Sequence, residues 1–149
     1  MRRIRGFTLV ELLVVIIIIS ILLAILLPAV AKAMCNARAG KAKTLVRQIE
    51  TGSFQYETEQ NVYPPGTGTG SAEVYAVLTA PGPRGLPYLQ KNSGLDPGHF
   101  INPVDSAEEI KFRNNMAGGG QNTLRVDIWC SDCDEVQAGN GSRVNNWSN

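Results

Sequence analysis

Three groups of residues in this 149-residue chain have types and spacings that could do chemistry. The first is Glu11, a carboxylate one residue before an uncharged run, Leu12 to Ala31. A carboxylate inside an apolar helix costs about 2.5–3.5 kcal/mol on insertion scales. It therefore either has a partner or lies at a membrane edge within reach of water. The second is Cys130-Ser131-Asp132-Cys133. A Cys-x-x-Cys pair reads as a redox motif, half a zinc site or a local disulfide. No βαβ pattern surrounds it, and the one histidine, His99, leaves zinc short of ligands. If the segment lies outside the cytoplasm, a Cys130–Cys133 disulfide is favoured. It would close a short loop with modest gain. Cys35 is then the odd cysteine, expected as a small buried residue. The third is the acidic stretch holding Asp132, Asp134 and Glu135, with Asp127 just before it. Hard oxygen ligands in a loop suit calcium, although the spacing is not that of an EF-hand. A solvated polar turn is the alternative. Asp127 falls in a predicted strand and is expected to face water.

These groups form no catalytic constellation. A lone His99 cannot build a nucleophile–His–acid set. Gly118-Gly119-Gly120 lacks the Lys-Ser/Thr and the following helix of a phosphate loop. The expectation is a protein that is not an enzyme.

The elements that would position these residues follow from patterning. Lys and Arg total 14 against 13 Asp and Glu, a net charge of +1. Such balance argues against a nucleic-acid binder, so no nucleic-acid partner is expected. The uncharged run is about 30 Å long as a helix, the thickness of a bilayer's hydrocarbon core. Arg2, Arg3 and Arg5 precede it and should stay on the cytoplasmic side. Pro28 lies inside the run and is expected to kink or loosen it. An uncleaved signal anchor is one reading of the segment. A secretory signal cut after Ala31-Lys32-Ala33 is another, although the run exceeds the usual apolar length of such signals.

Beyond Pro28, Ala42, Leu45, Ile49 and Tyr56 fall near one helical stripe. This predicts one long helix from about Thr8 to about Glu59, weakened locally at Gly40 and Gly52. Lys32, Arg38, Lys41, Lys43 and Arg47 suit either a solvated face or contact with lipid headgroups. From residue 61 the chain is rich in Gly and Pro. Residues 62–70 read as a loop and 71–78 as a short helix that Ser71 could cap. Residues 109–113 and 123–129 read as strands joined across the triple glycine. The fold class is α+β.

Gly6-Phe7-Thr8-Leu9-Val10-Glu11-Leu12-Leu13, after a short basic leader, closely resembles the processing site of type IV pilins and pseudopilins. The resemblance implies that a prepilin peptidase cuts between Gly6 and Phe7 and N-methylates Phe7. Cleavage would leave 143 residues with 11 basic and 13 acidic groups, a net of −2. It implies that Glu11 pairs with the Phe7 amine of a neighbouring subunit, and that the helix near Pro28 can extend on packing.

The later order resembles the major pseudopilin of the type II secretion system. It comprises Val62-Tyr63-Pro64, a short helix, Gly85-Leu86-Pro87-Tyr88-Leu89, Asp96-Pro97, Asp127-Ile128-Trp129 and Asn146-Trp147. The usual Trp-Gly-Asn-Pro turn is present only as His99-Phe100-Ile101-Asn102-Pro103. That family binds calcium in a loop at this position, and Asp134 matches its acidic position. Here Cys130 stands where a Ser ligand is usual, and Ser142-Arg143 where acids are usual.

The implied layout is pilin-like. Residues 1–6 form a leader, 7–31 a transmembrane and assembly helix, 32–60 its amphipathic half, and 61–149 a periplasmic head. The implied partners are copies of itself, minor pseudopilins, the prepilin peptidase, an inner-membrane assembly platform and, before assembly, inner-membrane lipid. The implied function is a periplasmic pseudopilus that drives protein export across the outer membrane. A surface type IV pilus for adhesion, motility or DNA uptake shares the same N-terminus. A signal-anchored or secreted binding module is the alternative of another class.

Overall fold

The computed structural model describes residues 7–90, 98–115, 125–132 and 143–147. Two compact units divide the chain, Met1–Asn36 and Ala37–Asn149. Helix α1, Leu9–Gln60, contributes to both and ends within a residue of each predicted boundary.

In the first unit every side chain from Phe7 to Met34 is exposed. No described residue covers this apolar surface. The most apolar 18-residue window of α1 has a mean hydropathy of 3.3, and the helix is long and apolar enough to cross a membrane. Ser20 donates its hydroxyl back to the Ile16 carbonyl at 2.7 Å, so the polar group in mid-run is satisfied within the helix. Pro28 does not end α1. It has no N–H to offer the Ala24 carbonyl, so one rung of the helical ladder is missing there.

In the second unit the buried stripe of α1 is Ala42, Val46, Ile49, Gly52 and Ser53. Of the predicted stripe, Ala42 and Ile49 are buried, while Leu45 and Tyr56 are only half-buried. At Gly52 a Cβ would stand 3.1 Å from the Leu89 side chain, so a small residue suits this close contact. The helix stops at Asn61, which adopts φ 56° and donates to the Glu57 carbonyl at 2.7 Å. Asn tolerates this left-handed conformation better than most residues, and the bond satisfies one terminal carbonyl. Glu59 then anchors the following loop: it pairs with Arg84 at 2.9 Å and accepts the Tyr88 hydroxyl at 2.8 Å.

Helix α2, Ala72–Thr79, forms as expected, but Ser71 does not cap it through its side chain. The Ser71 hydroxyl instead accepts from the Phe100 N–H at 2.9 Å and donates to Glu109. Among the described residues three strands follow: β1 Lys111–Asn114, β2 Val126–Ser131 and β3 Arg143–Asn145. They form one antiparallel sheet in the order β1-β2-β3. Phe112 faces Ile128, and Cys130 faces Val144. This is a long N-terminal helix with a small three-stranded antiparallel sheet, an α+β pilin-like architecture.

The loop at 66–70 lies along the outer edge of β1. Gly68 and Asn114 donate to Phe112 and Gly66 carbonyls, and Phe112 donates to Gly70. Glycine is required at 66, because a Cβ there would meet Phe112 Cδ1 at 2.4 Å. The edge that β1 would otherwise expose is thus covered.

The core joins Ala42, Val46 and Ile49 to Val74 and Leu78 of α2 and to Ile110, Phe112, Val126 and Ile128 of the sheet region. Full burial of each large apolar side chain is worth roughly 1.5–3 kcal/mol. Asn146, just past β3, donates to Glu50 Oε1 of α1 at 3.1 Å and to the Val126 carbonyl at 3.0 Å. On the other face of the sheet Trp129 and Trp147 meet edge to face at 5.9 Å, with the Arg113 guanidinium 5.5 Å from the Trp129 ring. Asp127 does not face water: it is 1% exposed, opposite Arg113 in the register. The expected strands at 109–113 and 123–129 are both shifted toward the C-terminus, and β3 was not expected. Glu109 serves an isolated bridge to Ile101 and the bonds to Ser71 instead of the ladder. The triple glycine between β1 and β2 lies outside the described residues.

Candidate functional site

At the start of α1, Thr8 and Glu11 form a small polar knot. Thr8 donates both its N–H, at 2.9 Å, and its hydroxyl, at 2.8 Å, to Glu11 Oε2. The Glu11 N–H donates back to Thr8 Oγ1 at 3.3 Å. This is a reciprocal capping box, with Thr8 at the N-cap and Glu11 three residues on. It satisfies orphan N–H groups at the helix start and sets a negative charge at the positive end of the helix dipole. The carboxylate therefore has a defined orientation before any second chain arrives. Both Thr8 bonds end on Oε2, and no bond among the described residues ends on Oε1. That oxygen can accept from another donor. Phe7, beside it, is 77% exposed. Gly6, on the other side of the expected cut, lies outside the described residues.

Sequence analysis named Glu11 and missed Thr8. The signal was present as Thr8-x-x-Glu11 ahead of an apolar run, the pattern of a capping box. Glu11 can thus act at once as a cap within its own chain and as an acceptor for an incoming amine.

The cysteines differ from expectation. Cys130 is a reduced thiol, fully buried on the core face of β2 with Val126 and Ile128. Alternation along the strand fixes it there. The expected Cys130–Cys133 disulfide is corrected accordingly. Cys133 itself lies outside the described residues. Cys35 is disulfide-bonded and half-buried rather than a small buried thiol. Of the acidic stretch, Asp132 is described and follows β2 directly, whereas Asp134 and Glu135 lie outside the described residues. Among the described residues no three His, Cys, Asp or Glu side chains gather into a metal cluster.

The structure shows a polar junction at the end of β2 that sequence reasoning did not find. Glu108 accepts from the Ser131 N–H at 3.1 Å, from the Ser131 hydroxyl, and from Asn102 Nδ2 at 2.9 Å. Lys111 pairs with its other oxygen at 3.3 Å. Asn102 is fully buried and also donates to the Ser131 carbonyl at 3.1 Å, while its Oδ1 accepts the Val104 N–H at 3.0 Å. The junction clamps the 102–108 turn to the point where the acidic stretch begins. Its members are scattered over 30 positions, so no local spacing announces it. Partial burial pushes the Glu108 carboxyl upward, but the bonds from Ser131, Asn102 and Lys111 outweigh it. The net effect holds Glu108 below its ordinary value.

A family model described as the prokaryotic N-terminal methylation motif matches residues 1–27. Neither a curated protein nor a solved structure matches the chain. The match supports a type IV pilin- or pseudopilin-like protein, made as a prepilin and processed by a prepilin peptidase. It points to a structural protein that polymerises, and the apolar helix is compatible with membrane anchoring as in type IV pilins.

The Glu108 junction sets a pH dependence. The folded value lies below the unfolded one, so its stabilisation is complete above the unfolded value of about 4.3 and is lost as pH falls through the folded value. Glu108→Gln is expected to cost about 1–3 kcal/mol near neutrality. It should also flatten the acid limb of stability as pH falls below that unfolded value. Denaturant melts of both proteins across that range check this.

Proposed function

We propose that this chain is a structural subunit of a type II secretion pseudopilus. It is inserted in a bacterial inner membrane with its head in the periplasm, cut between Gly6 and Phe7, and methylated on Phe7. It then polymerises into a periplasmic filament that drives export across the outer membrane. One observation carries the reading: a methylation motif over residues 1–27, with Glu11 just before an exposed, uncharged helical run at 12–31. Removal of the leader creates an α-amino group. The Glu11 carboxylate, steadied by Thr8 and with Oε1 open, is the natural acceptor for that group on a neighbouring subunit. Two groups that are costly alone in lipid become tolerable together. Each subunit then docks with its stem in register. Pro28, with its missing rung, gives the stem a place to adjust as copies pack.

The secretion role over a surface pilus rests on the resemblance of the head: Val62-Tyr63-Pro64, α2, the 85–89 loop and Asp127-Ile128-Trp129. Minor pseudopilins and an inner-membrane assembly platform are the further partners of this reading. A surface filament would be long and extracellular, which imaging of the assembled material separates from a short periplasmic one.

A calcium ion held by Asp132, Asp134 and Glu135 belongs to the same proposal, supported by the oxygen-rich donor set and its place after β2. Calcium at a hundredfold excess over its dissociation constant would add about 2.7 kcal/mol. A melting temperature equal in calcium and in chelator removes the ion from the proposal.

Glu11→Ala is expected to insert and be processed like the parent, since it removes an insertion cost. Its filament yield should fall about tenfold or more, the equivalent of at least about 1.4 kcal/mol per contact. Sheared-filament yield and membrane fractionation measure the two together, and an undiminished yield counts against the pairing.

A further inference from the structure

The charges of this chain are segregated along its length. Residues 12–47 hold five basic side chains and no acid, whereas residues 48–149 hold six basic and twelve acidic ones. The five are Lys32, Arg38, Lys41, Lys43 and Arg47, and all are exposed. Lys41, Lys43 and Arg47 lie off the buried stripe of Ala42, Val46 and Ile49, so packing against the head does not cover them. Among the described residues the ion pairs are Arg84–Glu59 and Lys111–Glu108, and neither involves the five.

Several acids elsewhere are engaged within the chain. Glu50 accepts from Asn146, Glu59 from Tyr88 and Arg84, Glu109 from Ser71, and Glu108 from its junction. Among the described residues the five cations have no such partner, which leaves them available to an anion from outside the protein. Lys32 is the first charge after the uncharged run. With residues 7–31 across a bilayer, Lys32 stands at the headgroup layer. Arg38 and Lys41 follow it by six and nine residues in the sequence, on long side chains that can reach toward a charged surface.

We propose that this basic collar binds anionic phospholipid headgroups on the head side of the membrane, in the subunit before it assembles. The inference rests on the membrane reading of residues 7–31 and not on the secretion role. The lipid phosphate supplies the negative charge that the 12–47 segment lacks. Before processing, Arg2, Arg3 and Arg5 and the collar hold the two ends of the apolar run. After processing only the collar remains. Its headgroup contacts must be given up when a subunit leaves the bilayer, so it sets a threshold that assembly has to exceed.

The test uses the full chain reconstituted into vesicles of phosphatidylcholine alone or mixed with phosphatidylglycerol. Lysines on the outer surface are dimethylated with formaldehyde and cyanoborohydride, which are small enough not to favour either surface. Mass spectrometry gives the rate at each lysine. Lys32 and Lys41 are expected to react about threefold or more slowly in the anionic vesicles, with the difference lost in high salt. Lys111, paired with Glu108 in the head, should react equally in both. Equal rates at Lys32 and Lys41 in the two lipids overturn the proposal. Slowing in both lipids that grows with protein-to-lipid ratio also overturns it, and assigns the collar to a second copy. Flotation of the same samples separates the two readings. Protein that floats with both vesicles while the rates stay equal defeats the collar alone, and protein that fails to float defeats the membrane reading as well.

Discussion

An acid at the head of a 20-residue uncharged run is the constraint from which the other features follow. Glu11 cannot sit comfortably in hydrocarbon, and the 20 residues after it offer no charge to answer it. Thr8 answers it in part within the chain, using two donors on one oxygen and taking the Glu11 N–H in return. The carboxylate is held in one orientation while it keeps its charge. In the proposed assembly an amine from a second chain would meet a prepared acceptor, with part of the entropy of ordering the side chain already lost.

The same constraint separates two sources of order. From Ala37 onward the second unit has its own core, built on the Ala42–Val46–Ile49 stripe, α2 and the inner face of the sheet. The first unit has none: its side chains are exposed from Phe7 to Met34. Such a surface is stable in lipid or against other helices of the same kind, and not in water. In the first case the backbone is satisfied within the helix and the side chains by hydrocarbon. In the second, as proposed, neighbouring stems would take the place of lipid, and Glu11 would supply the selectivity that greasy contact lacks. A polar group that costs stability but specifies alignment is a familiar device in helix assemblies.

The helix was readable because its signals are local and repeated: an apolar run, then a 3.6-residue stripe that stops at Asn61. The motif at Gly6, Phe7 and Glu11 was readable because short spacings carry it. Even Thr8 was legible as a capping box, though only the structure showed it acting on Glu11. The head was less so. Strand β3 is three residues, Arg143-Val144-Asn145, with no alternation to detect, and it exists because β2 pairs with it. Cys130 looked like half of a local pair by spacing, yet strand alternation turned it into the core. Glu108, Asn102 and Ser131 meet only after the chain folds, so spacing could not reveal them. Asp127 read as a surface acid and is buried, because the sheet's outer face is covered more fully than its alternation suggested.

The mass of the N-terminal peptide is the most direct measurement, taken on protein purified from a host with working prepilin maturation. The account predicts a chain that begins at Phe7 and carries one added methyl on its α-amino nitrogen. A chain that keeps Met1 to Gly6, or that begins after Ala33, would contradict it, because no amine would then exist at Phe7 for a neighbour's Glu11 to receive.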